Sequence, residues 1–236
     1  MSSKATNIEL YASPPHACSY LPEQQAVQAF IDPALELNPR IYSLLSRQGF
    51  RRSGNFVYRP QCGDCQACIP VRLPVAQFTL SRSQKRIVKR NQDLRVEIEP
   101  ASVREEDYKL YERYITLRHP DGDMYPPSFQ QYRKFLLADW CPSLFIRFYE
   151  GDTCIAVIVA DQLDDGLSAV YSFFEPDQNR RSLGSLSILQ LIATARENDL
   201  AYVYLGYYVR DCAKMSYKIN YRPLEIYKQG RWLSVT

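Results

Sequence analysis

The chain has 236 residues, of which 46% are hydrophobic and 23% are charged, and its formal net charge is +3. This composition is that of a folded globular protein and excludes a largely disordered chain. No apolar run approaches the ~18 residues of a membrane span, and no signal peptide is evident at the first residues. We therefore expect a cytoplasmic protein with one large α/β domain or two smaller ones.

Five elements are predicted before residue 100 from capping residues, turn residues and apolar periodicity. They are a helix over 39–48, a hairpin over 50–60, a strand over 69–75, a helix over 81–91 and a strand over 95–100. Asn38 predicts the N-cap of the first helix, and Ser81 with Gln84 predicts a capping box for the second. Pro70 and Pro74 place the strand over 69–75 at a sheet edge, because proline cannot donate to a strand ladder.

The second half predicts a mixed sheet with antiparallel hairpins and one βαβ crossover. The helices are expected over 102–118, 128–140, 183–198 and 214–219. The strands are expected over 144–150, 154–163, 168–176 and 202–208, with a closing hairpin around 229–230. Ser102 with Glu105, and Ser128 with Gln131, predict capping boxes.

Seven cysteines, an odd number without an export signal, favour reduced thiols over a disulfide framework. Cys62, Cys65 and Cys68 have the spacing of zinc or iron–sulfur ligands, and Cys18 is the candidate for a fourth ligand. The alternative is a cluster of reduced thiols without a metal. The other cysteines, Cys141, Cys154 and Cys212, are expected to be small buried apolar residues.

The predicted helix over 81–91 carries five cations at positions that share one face, and no acidic residue lies within 81–92. They are Arg82, Lys85, Arg86, Lys89 and Arg90. Such a stripe suits a phosphate backbone, so we predict RNA contact, with a merely solvated helix face as the alternative. Arg51, Arg52 and Arg59 are expected to extend this patch.

The loop before the helix over 183–198 contains Arg180, Arg181 and Gly184. It partly resembles the pyrophosphate-binding loop of Gcn5-related N-acetyltransferases (GNAT proteins), in which a helix N-terminus holds phosphate. A simple βαβ crossover is the alternative. Either reading leaves both arginines as candidates for RNA contact.

Residues 202–227 hold seven of the eighteen tyrosines. Core packing is expected to account for about half of these rings, and the others suit stacking on a base or positioning an amine. Lys214 and Lys218 are four residues apart, so a helix would place them on one face, where they could hold a carboxylate or phosphate together.

Five stretches resemble the aminoacyl-tRNA–protein transferases of the N-degron pathway, most closely their bacterial branch, the aspartate/glutamate leucyltransferases. They are residues 16–22, 58–75, 81–91, 171–189 and 204–223. Leu21 departs from the CxxC motif that eukaryotic arginyl relatives carry near the N-terminus. The resemblance implies a GNAT-like α/β fold over residues 96–236, packed on a smaller domain over residues 1–95 that carries the cysteine cluster and the basic helix.

The resemblance also implies a reaction in which the α-amine of a protein with N-terminal Asp or Glu attacks the ester of leucyl-tRNA. An aminoacyl ester is already activated, so no cofactor is required, although zinc or an iron–sulfur cluster at the thiols remains an option. The implied partners are leucyl-tRNA and the acceptor protein, with neither a membrane nor DNA. Leucine rather than arginine as the donor residue depends on the family branch alone.

Two groups of residues are the candidates for this site. The candidates for catalysis or for placing the amine and ester are Lys214, Tyr207, Tyr171, Ser172 and His119. The candidates for binding the acidic substrate are Arg72, Lys218 and Arg222. His119 has an ordinary turn histidine as its alternative.

Two other functions are weighed against this one. An acetyl-CoA-dependent GNAT acetyltransferase would not need the basic helix and would keep the final small residue of the pyrophosphate loop. A metal-stapled RNA-binding module without catalysis would bind RNA but transfer no acyl group.

Overall fold

The computed structural model describes residues 8–235 as a mixed α/β fold. Its helices are α1 (Pro39–Arg47), α2 (Arg82–Arg90), α3 (Glu105–Arg118), α4 (Phe129–Leu136), α5 (Leu183–Glu197) and α6 (Ala213–Ser216). Its first strands are β1 (Leu10–Ala12), β2 (His16–Ala17), β3 (Gln25–Ala26), β4 (Gln28–Ile31), β5 (Arg51–Ser53), β6 (Phe56–Pro60) and β7 (Ile69–Pro74). The remaining strands are β8 (Arg95–Pro100), β9 (Ser143–Glu150), β10 (Thr153–Leu163), β11 (Gly166–Phe174), β12 (Tyr202–Tyr208), β13 (Leu224–Lys228) and β14 (Arg231–Val235).

The large sheet has eight strands in the order β14-β13-β7-β12-β11-β10-β9-β8. β11 and β12 are parallel and are joined through α5, whereas the other neighbouring pairs are antiparallel. This confirms the predicted mixed, GNAT-like sheet with one βαβ crossover. A smaller sheet of β1, β4, β6 and β5 lies before residue 61.

Helices cover both faces of the large sheet. Successive strand residues point to opposite faces, so neighbouring residues pack against different helices. Ile146 and Ile158 belong to the cluster that packs against α5, with α2 residues at its edge. Their neighbours Phe145 and Val157 belong to a second cluster that packs against α3 and α4. The strands are consequently buried on both sides, which gives the sheet a rigid centre.

The predicted caps of α1 and α2 are confirmed. The side chain of Asn38 accepts a hydrogen bond from Ile41 N at 3.0 Å. Ser81 and Gln84 form a reciprocal capping box at the start of α2. Of the capping box predicted for α4, only one half is observed, in which Ser128 accepts a hydrogen bond from Gln131 N at 3.2 Å. The helix ends at Leu136 rather than near residue 140.

The predicted capping box of Ser102 and Glu105 is wrong. α3 begins at Glu105 with Arg104 at the N-cap, and no side chain caps it. Ser102 is engaged elsewhere, because Nη2 of the buried Arg147 donates to its Oγ at 3.4 Å and to its carbonyl at 2.8 Å. A long-range contact therefore overrides a local signal.

The prediction that residues 69–75 form an edge strand is also wrong. β7 lies between β12 and β13 in the large sheet. Its pairing with β13 involves only Val71 and Arg72, so Pro70 and Pro74 lie outside this ladder. The two prolines consequently remove no hydrogen bond from it.

The division into residues 1–95 and 96–236 stays a prediction. β7, which precedes the boundary, is hydrogen-bonded within the large sheet. α2 also packs against α5 through Ile87 and Val88 at the edge of the main core.

Candidate functional site

The parallel strands β11 and β12 form a fork near the middle of the large sheet. They pair only from Gly166 to Ser168 on β11, although both strands continue beyond this ladder. Gly206 on β12 has a φ of +75° at an irregularity in the register with β7. Positive φ is open to glycine, which has no Cβ, so this residue can bend the strand where the fork begins.

The guanidinium of Arg51 lies in this fork. It donates hydrogen bonds to the carbonyl of Ala169 and, at 3.4 Å, to Oγ of Ser168. A Cβ built on Gly206 would lie only 3.1 Å from the guanidinium carbon. Glycine at this position therefore leaves the space that Arg51 occupies.

Lys218 lies beside the fork in a 3₁₀ turn over Tyr217–Asn220. The residue is only 5% exposed, and its Nζ donates to the carbonyl of Tyr207 at 2.5 Å. Burial, followed by the nearby positive charge of Arg51, lowers the pKa of Lys218 to about 7. Since Tyr207 follows Gly206 in β12, the two cations contact adjacent residues of one strand.

Tyrosine rings surround the two cations. Burial is the main cause that raises the pKa values of Tyr20, Tyr58, Tyr207 and Tyr217, and Arg51 opposes this rise at each of them. The hydroxyl of Tyr207 donates to the carbonyl of Gly49 at 2.9 Å. These rings are therefore neutral hydrogen-bonding groups at physiological pH.

Lys214 and Lys218 do not share one helix face, which corrects the expectation that they hold an anion together. α6 ends at Ser216 and a 3₁₀ turn follows, so the α-helical spacing is broken between the two lysines. The Lys214 side chain is 57% exposed, and its Nζ lies 3.9 Å from Asp121. Lys218 points into the interior instead.

His119 lies near Lys214 at the end of α3. Its Nε2 is 3.3 Å from the hydroxyl of Tyr114. Burial, followed by the charge of Lys214, lowers the pKa of His119. The imidazole is consequently neutral near pH 7 and could accept a proton.

Tyr171 and Ser172 are adjacent on β11, so their side chains point to opposite faces of the sheet. Tyr171 packs against Tyr111 and Phe135, with ring centroids at 6.3 and 5.3 Å. The structure therefore does not bring Tyr171 and Ser172 to one face, and Arg222 lies exposed beyond the 3₁₀ turn. Their roles stay predictions.

Arg72 is engaged by its own chain. Its Nε donates to Glu225 at 2.7 Å, and its guanidinium lies between the rings of Tyr202 and Trp232 at 3.6 and 4.4 Å. The residue is 8% exposed. These contacts favour a structural role in joining β7, β12 and the closing hairpin, and substrate binding by Arg72 stays a prediction.

The basic stripe on α2 is exposed along its whole length. All five predicted cations are exposed, namely Arg82, Lys85, Arg86, Lys89 and Arg90. Gln84, on the buried side of the same helix, donates to the carbonyl of Asn220 at 3.4 Å. The stripe therefore begins next to the 3₁₀ turn that carries Lys218.

Arg180 and Arg181 lie at the other end of α2. With Arg90, Asp93 and Gln178 they line an open cavity of about 610 Å³. Arg181 pairs with Asp93 at 2.8 Å and with Glu150, whereas Arg180 is exposed. Of the two, Arg180 is the arginine more available to a phosphate.

The predicted extension of the patch through Arg52 is wrong. Arg52 is 3% exposed and pairs with the buried Asp161. Arg59 lies over the ring of Phe50 at 4.9 Å, and Arg51 occupies the fork. Both Arg51 and Arg52 are held by long-range contacts, which a count of neighbouring charges does not reveal.

The four candidate thiols line a second cavity of about 500 Å³, between the N-terminal segment and the closing hairpin. Burial, then the neighbouring Cys18, Cys62 and Cys65, raises the pKa of Cys68 to about 12. Within residues 8–235, however, no three side chains are grouped as a metal site requires. Metal binding by these thiols stays a prediction. Cys141, Cys154 and Cys212 are buried, as predicted.

The fork itself was missed from the sequence. A glycine between apolar residues of a predicted strand is a recognised sign of a bulge or a close approach, and Gly206 is such a residue. Nothing local, however, indicates that Arg51 is the group that approaches. Among the residues described, no helix is long and apolar enough to cross a membrane.

Two family models match the chain. One, described as "Arginine-tRNA-protein transferase, C terminus", matches residues 106–228, and the N-terminus model of the same family matches residues 16–86. The chain is 46% identical over 233 residues to an aspartate/glutamate leucyltransferase of Hahella chejuensis, covering 99% of this chain and 100% of that protein. It is 49% identical over 231 residues to that of Pseudomonas fluorescens, covering 98% of each chain.

One solved structure that matches part of the chain is the C-terminal domain of a putative lysylphosphatidylglycerol synthetase from Agrobacterium fabrum. Its TM-score is 0.47 at 13% identity, and the match covers 71% of this chain and 51% of that chain.

The GNAT-like sheet and the basic helix beside it, together with the family models and the sequence relatives, define an aminoacyltransferase. The chain belongs to the arginine-tRNA-protein transferase family, which confirms the resemblance drawn from its motifs.

Proposed function

We propose that this protein transfers leucine from leucyl-tRNA to the N-terminal α-amine of proteins that begin with Asp or Glu. The observation that carries this proposal is similarity over nearly the whole chain, at 46% to 49% identity, to proteins named aspartate/glutamate leucyltransferase. Neither the acetyl-CoA alternative nor the non-catalytic RNA-binding alternative has such support. The new N-terminal leucine would mark the acceptor for proteolysis.

The reaction needs positioning more than activation. The amine nitrogen attacks the ester carbonyl, a C–N bond forms, and the C–O bond to the terminal ribose of the tRNA breaks. The amine loses a proton, and the ribose oxygen gains one. An α-amine has a pKa of about 7.7–8.0, so a useful fraction is already neutral near pH 7.5, and alignment of the two substrates supplies most of the rate.

The exposed stripe on α2 would bind the tRNA backbone. Its five cations face solvent, and its first turn contacts the 3₁₀ turn beside the fork. A tRNA lying along this helix would bring its acylated end to the fork. Arg180 would extend the contact at the far end of α2, where it is exposed, with Arg181 behind it.

Around the ester, Lys214 and His119 are the proposed catalytic groups. The exposed ammonium of Lys214 would stabilise the oxyanion that forms on the ester carbonyl. The neutral His119 could accept the proton that the amine releases. Tyr171, Ser172, Tyr207 and Arg222 are proposed only as positioning groups.

The proposed reaction requires no resident cofactor, because the ester bond already carries the energy of the transfer. The proposed partners are leucyl-tRNA and acidic N-termini. Since charged tRNA is a substrate, we place the protein in the cytoplasm, with neither DNA nor a membrane as a partner.

The test is transfer of labelled leucine from leucyl-tRNA to four matched peptides. They begin with Asp, Glu, Asn and N-acetyl-Asp. We expect labelling of the Asp and Glu peptides only, since the Asn peptide lacks the charge and the acetylated peptide lacks the amine. Labelling of the acetylated peptide, or of none of the four, would contradict the proposal.

A further inference from the structure

Two cations lie together at the fork without a carboxylate. Arg51 donates to Ala169 and Ser168, and Lys218 donates to the carbonyl of Tyr207 and to the sulfur of Met215. In the part of the chain that the structure describes, none of these partners carries a negative charge. By contrast, Arg52, Arg72 and Arg147 each have an acidic partner.

An ammonium that is buried without a counter-ion is unfavourable, because desolvation penalises its charged form. Lys218 is only 5% exposed, and the nearby positive charge of Arg51 adds to this penalty. A pair of cations without an internal counter-ion is suited to bind an anionic group of a ligand. Ligand carboxylates form short, charge-assisted hydrogen bonds with groups of this kind.

Both cations keep donors for a ligand. Guanidinium has five N–H groups and ammonium has three, and the contacts within the chain use two on each side chain. Arg51 is half-buried, and Tyr217, next to Lys218, is 43% exposed. The pair therefore lies just below the surface.

We propose that Arg51 and Lys218 form the pocket that receives the side-chain carboxylate of the acceptor's first residue, an inference that rests on the proposed function. The pair would thereby determine the preference for Asp and Glu over uncharged N-terminal residues. The pair retains Lys218, which the sequence suggested for the acidic substrate, and adds Arg51 in place of Arg72, which is already paired with Glu225.

The depth of the site favours a carboxylate over a tRNA phosphate. Lys218 is 5% exposed and is flanked by tyrosine rings, so only a slender group at the end of a short chain can reach it. A backbone phosphate carries two ribose substituents, and the exposed stripe on α2 suits it better.

The same pocket would assist the attack on the ester. A carboxylate at the fork places the α-amine of the same residue only a few bonds away. Positive charge nearby disfavours the protonated amine and so increases its nucleophilic fraction.

The experiment compares kcat/KM for an Asp-initiated and an Asn-initiated peptide with leucyl-tRNA. The variants are Arg51→Gln and Lys218→Met, which remove the charge and keep much of the volume. We expect the Asp/Asn ratio to fall by about 10- to 100-fold in each variant, the range that a charge-assisted hydrogen bond supports. The Asp/Asn ratio does not depend on the fraction of folded enzyme, because both peptides are assayed with the same enzyme preparation.

A matched glycine pair keeps the test informative if those variants fold poorly. Gly206 and Gly230 both have positive φ, +75° and +77°, but only a Cβ at Gly206 would press on Arg51. Gly206→Ala should lower the Asp/Asn ratio, whereas Gly230→Ala should share the backbone strain and keep the ratio.

Each outcome separates this inference from the proposed function. If the unmodified protein transfers no leucine to the Asp peptide, the proposed function fails. If it transfers and discriminates, but the ratio is unchanged in Arg51→Gln, Lys218→Met and Gly206→Ala, only the pocket assignment is overturned. A raised KM for leucyl-tRNA with an unchanged ratio would assign the cations to the tRNA and would also overturn it.

Discussion

Arg52 donates two hydrogen bonds to Asp161, from Nε to Oδ2 at 2.7 Å and from Nη2 to Oδ1 at 2.5 Å, and both side chains are fully buried. The pair joins β5 of the small sheet to β10 of the large sheet. Ser143 and Tyr42 also donate to the same carboxylate, at 2.7 and 3.0 Å. This network fixes β5, and thereby the neighbouring Arg51, against the centre of the large sheet.

Asp161→Asn should destabilise the fold strongly, because it leaves the guanidinium of Arg52 buried and uncompensated. Loss of one partner of a buried pair usually lowers the free energy of unfolding by about 3–5 kcal/mol. Urea unfolding measures the difference. As a control, Glu105→Gln removes the exposed pair with Lys109 and should leave the unfolding midpoint nearly unchanged. Equal effects of the two substitutions would contradict this account of the network.

Charge reversal on α2 should weaken tRNA binding without changing the acceptor site. We expect Arg86→Glu with Lys89→Glu to raise the KM for leucyl-tRNA, since both cations are exposed on the stripe. The slope of log affinity against log salt should become shallower by about one for each phosphate that the variant no longer neutralises. Arg133→Glu with Lys134→Glu makes the same change in net charge on exposed residues of α4 and should have little effect. If both double variants raised the KM for leucyl-tRNA equally, total charge and not the position of the stripe would determine tRNA binding.

Lys214→Ala should reduce transfer by about 100-fold, the usual effect of losing one group that stabilises an oxyanion. Its side chain is 57% exposed, so the free energy of unfolding should change little. Single-turnover rates at saturating leucyl-tRNA measure the effect, with the exposed Lys134→Ala as the control. A near-normal rate for Lys214→Ala would remove Lys214 from the catalytic groups.

The contribution of Lys218 to stability should rise with pH. Its pKa is lowered from 10.5 to about 7 in the folded chain, so the unfolded chain binds more protons between these values. Stability from this residue is therefore gained as pH rises above 7 and lost as pH falls towards 7. Urea unfolding at pH 7 and pH 9 measures the free energy of unfolding of the unmodified protein and of Lys218→Met. The unmodified protein should gain stability relative to Lys218→Met at the higher pH.

The groups that face Lys218 are Arg51, Cys68, Cys212, Tyr207 and Tyr217. Burial and neighbouring thiols keep Cys68 protonated through pH 9, since its pKa is raised to about 12. Lys134→Met, at an exposed position, should show no such dependence on pH. The burial of an uncompensated ammonium would be contradicted if the two proteins, unmodified and Lys218→Met, differed in free energy of unfolding by the same amount at pH 7 and pH 9.

Local chemistry predicted the elements whose stability is local. The capping box of Ser81 and Gln84 and the spacing of the cations on α2 depend on residues within one helix, and the structure confirms both elements. The strands predicted over 144–150 and 154–163 are likewise confirmed as β9 and β10.

The site depends on contacts between residues far apart in the chain, which periodicity does not reveal. Arg51 reaches β11 across 118 positions, and Arg72 reaches Glu225 across 153. The sequence assigned Arg51 and Arg52 to the basic patch, and Arg72 and Lys218 to the acidic substrate. Only the fold separates Arg52 and Arg72, which have acidic partners, from Arg51 and Lys218, which have none among the described residues.

The most direct test of the central claim offers leucyl-tRNA and arginyl-tRNA separately, each with peptides that begin with Asp, Glu or Arg. We predict label at the N-termini of the Asp and Glu peptides with leucyl-tRNA, no label on the Arg peptide, and little or none from arginyl-tRNA. Label from arginyl-tRNA alone would contradict leucine as the donor residue. If neither donor labelled an acidic N-terminus, the account as a whole would be contradicted.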